Sequence, residues 1–322
     1  MLSMAMIVFL FVIHIGSSPS GVAALDVSPE GRTPTRTLGG VLRCDPEVMK
    51  PSDKTPEDVN KVRPADINVI AAMGDSFTTA ARARNYVEDP HNVYPGNSYF
   101  IGGDETLEKH ITVANILRAF NPRIVGMSHG SGYGGAGFNV AVNGRTSRDI
   151  PNQAEELIRR MKAKGVRLRE DWKLISIFMG TNDLGELNCY LGEMPISRDV
   201  YKMKLAEGIS VLRRNLNRTI VSIMPIWNPQ LAIDAKSLIE QGSRRECGKD
   251  SVTKRDALSK EYRMAAYELQ NERNFDHKDF TVVVQSFMDD VKDAFRNYGN
   301  AVVGKFLWNN LIEPVGRKND KG

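Results

Sequence analysis

Three short segments carry residue types that could transfer an acyl group. Gly74-Asp75-Ser76 offers a hydroxyl nucleophile straight after an apolar run, with glycine permitting a tight turn that presents Ser76. Asn143-Gly144 offers a backbone N–H that no Cβ screens, and Gly180-Thr181-Asn182-Asp183 offers a side-chain amide. A serine attacking an ester builds negative charge on the carbonyl oxygen, and N–H groups aimed at that oxygen stabilise it. A helix starting behind Ser76 would add free N–H groups of its own. Each segment alone also reads as ordinary chain turning, because Gly after a strand bends the backbone and Asp, Ser or Asn then caps or closes the turn. Three donors leaving three strand-like segments make a more specific pattern than any one of them.

The elements that must position these residues follow from periodicity. Continuous apolar runs at Ile67–Met73, Leu174–Met179, Thr219–Met224 and Phe280–Val284 read as strands buried on both faces, and Gly137–Val142 as a short one. Helical spacing covers Lys109–Phe120, Pro151–Lys164 with Pro at its start, a long segment through Met203, Ala206, Ile209 and Leu212, and a stretch near Lys254–Glu272. Leu307–Ile312 falls in a last helix. Buried strands alternating with helices predict one α/β domain: a three-layer αβα sandwich, flavodoxin-like, with a mostly parallel central sheet. Sites in such sheets form outside the carboxyl ends of the strands, so the three segments should open on one edge.

The 322 residues are 41% hydrophobic and 25% charged, which excludes collagen-like, coiled-coil and wholly disordered chains. A net charge of +4 on 43 basic and 39 acidic residues, interspersed, gives no footprint for nucleic acid. Met1–Ala24 lacks Asp, Glu, Lys and Arg. Its apolar run, Met4–Ile15, is too short to cross about 30 Å of hydrocarbon as a helix. It suits the core of a signal peptide cleaved after Val22-Ala23-Ala24, although no Lys or Arg precedes it; a buried N-terminal helix is the competing reading. The expected organisation is a leader over 1–24, a polar lead over 25–64, a main domain over 65–318 and a tail over 319–322, secreted and without a membrane anchor. Cys44, Cys189 and Cys247 permit at most one internal disulfide, for which Cys189–Cys247 is the preferred pair; the other reading is three free thiols. Asn217-Arg218-Thr219 is a glycosylation sequon by pattern.

Gly74-Asp75-Ser76, Gly144 and Gly180-Thr181-Asn182-Asp183 resemble the first three blocks of the SGNH (GDSL) hydrolases. The likeness is to the phospholipase B-like branch, through Arg63-Pro64-Ala65-Asp66-Ile67, Ile101-Gly102-Gly103-Asp104, Asp171-Trp172-Lys173 and the segment Leu307–Lys318. The resemblance runs from about Cys44 to Lys318. It implies hydrolysis of fatty-acyl esters, chiefly phospholipid and lysophospholipid, at or near a lipid surface, with no metal or organic cofactor. It also implies Ser76 as nucleophile, and an oxyanion hole of the Ser76 and Gly144 backbone N–H groups and the Asn182 amide.

The fourth block departs from the family. An Asp-x-x-His is due near the C-terminus, the His to take the serine proton and the Asp to orient the imidazole. Counting back from Leu307-Trp308, with Phe295 and Gly299 matching, puts Val291 at the Asp position and Ala294 at the His position. No histidine follows His277, which precedes the last strand on the wrong side of the sheet. His91, His110 and His129 read as surface or loop residues, with His129 in its Gly-rich stretch the one to test. Asp289, Asp290 or Asp293 could approach Ser76, but a carboxylate is a far weaker base than imidazole for a hydroxyl. Two functions remain open: a lipase/esterase working slowly or through another base, and a catalytically silent relative that binds lipid esters.

Overall fold

The computed structural model describes residues 14–16, 39–81, 83, 93–188, 193–226 and 249–285. Its centre is a four-stranded parallel sheet of β3 (Ile67–Gly74), β4 (Trp172–Phe178), β5 (Thr219–Ile223) and β6 (Phe280–Val284), hydrogen-bonded in that order. A separate antiparallel pair joins β1 (His14–Gly16) to β2 (Val41–Arg43). Every residue of β4 is buried, as is every residue of β3 except Asn68, so these strands have no water-facing side. That is why their sequences run apolar without alternation.

Helices flank this sheet. In α1 (Val113–Phe120) the Thr112 hydroxyl caps the start by accepting from Asn115 N at 3.0 Å. In α2 (Ile150–Ala163) the buried Ile150, Ala154, Leu157, Ile158 and Met161 recur at helical spacing on one stripe. Burial of each large member contributes roughly 1.5–3 kcal/mol. In α3 (Arg198–Asn215) the buried stripe is Tyr201, Leu205, Gly208, Ile209 and Leu212, and α3 packs between α2 and α4 (Lys249–Asn271). The architecture is therefore the α/β sandwich expected from the sequence.

The segment 124–142 completes the free edge of β3. Ile70 N donates to Val125 O, Ala72 N to Phe138 O and Val140 N to Ala72 O, at 2.9–3.1 Å. The short strand expected over Gly137–Val142 is thus present as parallel bridges rather than a continuous strand, since the chain touches β3 at Val125, leaves it, and returns at Asn139. After β3 the chain turns to this edge and then crosses through α2 to β4 on the opposite side. β3 is the topological switch point, and in open α/β sheets sites form outside the carboxyl end of such a strand.

The amino ends of the strands are closed by polar groups. Asp66 accepts from Ser52 N, Ser52 Oγ and Arg63 N at 2.8–2.9 Å. Trp172 Nε1 donates to Pro56 O at 2.9 Å, and buried Lys173 Nζ donates to the carbonyls of Asp171 and Asn217. Asn217 Nδ2 donates to Asp279 Oδ2 at 2.6 Å, and Thr219 is buried. The sequon is therefore built into this edge, with Asn217 half-buried and its amide engaged. Cys44 is a free, half-buried thiol whose pKa is raised by burial. Cys189, Cys247, most of the leader and the last expected helix lie outside the described residues.

Candidate active site

The carboxyl end of β3 is fixed by its glycine. A Cβ on Gly74 would lie 2.3 Å from Thr78 Oγ1 and 2.5 Å from Phe178 O, so only Gly lets the turn close over β4. Asp75 turns inward, fully buried, and its Oδ1 accepts from Phe77 N at 2.9 Å. Thr79 N donates to Asp75 O at 3.1 Å and Ala81 N to Ser76 O at 3.0 Å, which winds residues 75–81 into a tight turn. The helix expected behind Ser76 is not there among the described residues; the turn takes its place. Ser76 stays half-buried at this carboxyl edge. Neither its backbone N–H nor its Oγ has a hydrogen-bond partner among the described residues.

The other two segments close on the same edge. Thr79 Oγ1 lies 2.6 Å from Asn143 Oδ1, which joins the Ser76 turn to the loop holding Gly144. Gly144 has φ +77°, a left-handed conformation that costs an L side chain about 1 kcal/mol. It is exposed, with nothing within 4 Å of where a Cβ would be, and its N–H is also without an acceptor among the described residues. Asn182 Nδ2 donates one hydrogen to Arg145 O at 2.8 Å, leaving its second amide hydrogen for another acceptor. Next to it, buried Asp183 accepts from Ser147 N at 3.0 and 3.1 Å and from Ser147 Oγ, so the exits of β4 and of the edge segment are tied together. The edge thus assembles Ser76, Gly144 and Asn182 from three strand ends.

Two buried carboxylates lie beneath. Burial pushes Asp75 up to about 7, against the Phe77 N–H, and the charge of Asp183 adds to the rise. Burial pushes Asp183 up to about 6, against the hydroxyl and N–H of Ser147. Both are held inside the turn scaffold, which gives the Asp of each motif a structural task.

A family model for the GDSL-like lipase/acylhydrolases matches residues 70–310, three quarters of the chain and all three of these segments. The chain belongs to that family. Among curated relatives, the membrane-associated phospholipase B1 of Homo sapiens is 34% identical over 308 residues, covering 84% of this chain and 20% of that protein. The Mus musculus phospholipase B1 is 33% identical over 301 residues, with 83% and 20% covered. The chain therefore spans about one fifth of the length of these relatives. A solved acetylxylan esterase from Geobacillus stearothermophilus aligns with 76% of this chain and 94% of its own at 16% identity and a TM-score of 0.42.

His110, His129 and His277 make their contacts elsewhere than at Ser76. His110 is buried, with Nδ1 3.3 Å from Asn97 Nδ2. His129 is exposed and faces Asp104, Nδ1 to Oδ1 at 3.5 Å, while Asp104 also accepts from Gly130 N. Its ring lies against Gly103 and Asp104, and its backbone N–H donates to Gly135 O at 2.8 Å, which holds the Gly-rich stretch 127–137 in place. His277 precedes β6 at the amino edge, opposite Ser76, as expected. His91, Asp289, Asp290, Val291, Asp293 and Ala294 lie outside the described residues. Sequence reasoning passed over Thr79, Asn143, Ser147 and Gln153. The signal for Gln153 was present, since it falls on the buried stripe of α2 between Ile150 and Ala154.

Proposed function

We propose that this chain is a phospholipase B-type carboxylic-ester site, taking fatty-acyl esters of phospholipid or lysophospholipid class, with turnover limited by the loss of its histidine. The observation that carries this reading is the group of unclaimed donors. The Ser76 and Gly144 N–H groups have no acceptor among the described residues, and Asn182 keeps one free amide hydrogen beside them. Donors left open at a strand edge can serve an oxyanion that arrives with substrate. In the reaction, Ser76 Oγ bonds to the acyl carbon and the carbonyl electron pair moves to oxygen, where the three donors receive it. The serine proton must leave, and Val291 and Ala294 stand where the family carries Asp and His. Without an imidazole, the oxyanion hole and binding alone leave about 10³–10⁴-fold over water, negligible turnover for a lipase. The same two residues favour a second reading, a silent chain that binds lipid esters without cleaving them.

The reading includes secretion through the 1–24 leader, a domain over 65–318, no cofactor and peripheral contact with a lipid surface. The test is ester hydrolysis and fluorophosphonate labelling by four proteins near neutral pH. Wild type should be slow; Val291→Asp with Ala294→His should raise both signals; Ala294→His alone should raise them less, because an unoriented imidazole samples unproductive rotamers. Ser76→Ala in the repaired chain should abolish the gain. Robust wild-type turnover lost in Ser76→Ala would mean that another residue is the base. Turnover unaffected by Ser76→Ala would sink the site assignment.

A further inference from the structure

Along the edge of β3 the residues 70, 72 and 74 point their backbone groups at the segment 124–142. Ile70 N is met by Val125 O and Ala72 N by Phe138 O. The next rung of a parallel ladder would run from Gly74 N to Val140 O. It is not made. Instead Gly74 N donates to Gln153 Oε1 at 2.8 Å, and Gln153 Nε2 donates back to Gly74 O at 2.9 Å. Gly74 O also receives Val142 N at 3.2 Å. Gln153 comes from α2, 79 residues along the chain, and its side chain is 6% exposed. A carboxamide presents the same donor and acceptor as a peptide group, so it can finish the ladder where the edge chain must peel away to reach Gly144.

We infer that Gln153 is a positioning residue for the reaction: its amide clamps both backbone groups of Gly74 and thereby sets the turn that aims Ser76 at the space beside Gly144. The inference rests on Ser76 being the nucleophile. Without the clamp, the Gly74 N–H would turn either to water or to Val140 O, and the second choice draws the Gly144 loop inward. Either movement shifts the serine against its donors, and a displacement of about 1 Å at a reacting group costs on the order of 10²-fold.

Gln153→Glu separates positioning from mere packing. A protonated glutamic acid there supplies one O–H donor and one acceptor, as glutamine does. The ionised form presents two acceptors to a carbonyl and loses the bond to Gly74 O. The experiment is the rate of Ser76 labelling by a fluorophosphonate in the full chain, wild type and Val291→Asp/Ala294→His repaired. Each rate is divided by that of the matching chain with Gln153 at the same pH. Thermal unfolding and amide exchange at Gly74 are followed in parallel. Gln153→Met should lower the relative rate by about 10- to 100-fold and speed exchange at Gly74, with the rest of β3 protected. Gln153→Glu should match it at high pH and recover toward the parent as pH falls. Recovery covers the case in which Gln153→Met does not fold. A folded Gln153→Met chain that labels at the parental rate overturns the inference. So does a Gln153→Glu loss that is independent of pH and follows the melting temperature. If the Gln153 chains themselves, repaired chain included, show no labelling at Ser76, the Ser76 reading has failed and this inference falls with it.

Discussion

Asp75 and Asp183 sit at the heart of the turn scaffold with pKa values well above that of a free carboxyl, about 7 and about 6. The folded chain therefore holds protons that the unfolded chain has released, between about pH 4 and 7. Stability from these groups is full below about pH 4 and is lost as pH rises through 6 and 7. Urea unfolding at pH 5 and pH 8 should show the chain more stable at pH 5, by on the order of 4 kcal/mol, since Asp75 and Asp183 release their protons about two and one pH units above pH 5. Asp75→Asn should reduce that difference. Lys173, pushed down to about 8 by burial, works in the opposite direction but only above pH 8, outside the window. The two site glycines should behave differently under one methyl group. Gly74→Ala meets backbone and hydroxyl at 2.3–2.5 Å, and should cost about 2–3 kcal/mol or prevent folding. Gly144→Ala meets nothing and should cost only about 1 kcal/mol of backbone strain, while slowing Ser76 labelling by filling the open space beside its N–H.

At the scale of elements, the contact that brings α3 against α2 is made at Gly208. A Cβ there would lie 2.3 Å from Ile150 Cγ2 and 3.3 Å from the Ile150 backbone. Ala in a helix interior is ordinarily about 1 kcal/mol better than Gly. Here the sign should reverse, because the helices would have to separate. Gly208→Ala should lower the melting temperature, and Ile150→Ala, which removes the opposing methyl, should make the Gly208 change less harmful than it is alone. Equal costs in both backgrounds would show that the helices part freely, since contacting residues are expected to be non-additive. Met161, Leu157 and Ala154 continue the same buried stripe, so α2 holds both the sheet and, through Gln153, the end of β3.

At the scale of the molecule, the β1–β2 pair stands apart from the four-stranded sheet, and β1 falls within residues 1–24, the proposed leader. Removing residues 1–24 would take β1 from β2 and leave the parallel sheet untouched. A chain starting at Leu25 should then unfold with a midpoint close to that of the full chain, and terminal sequencing of protein recovered from medium should begin near Leu25. Intact Met1 in a cytosolic fraction would refute secretion. No helix among the described residues is long and apolar enough to cross a membrane.

Much of this molecule was legible from residue order. Strands buried on both faces cannot alternate, so INVIAAM and LISIFM announced a covered parallel sheet, and the stripe from Ile150 to Met161 announced α2. The three segments leaving those strands marked the edge where Ser76, Gly144 and Asn182 meet, because a parallel sheet sends every strand exit to one side. The departure at Val291 and Ala294 is likewise a statement of sequence alone. Local pattern could not supply the partners across the chain. The helix expected after Ser76 gives way to a turn: the chain starts helically with Thr79 N on Asp75 O, then closes through Ala80 at φ +52° and Ala81 N on Ser76 O. Gly137–Val142 makes only bridges, because the chain meets β3 at Val125, leaves it and rejoins it at Asn139. Gln153 at Gly74 and Ser147 at Asp183 are bonds between residues 79 and 36 positions apart. Hydrogen bonds of that kind have no period and no fixed spacing, and only the packing of α2 and the edge segment against the sheet decides where they fall.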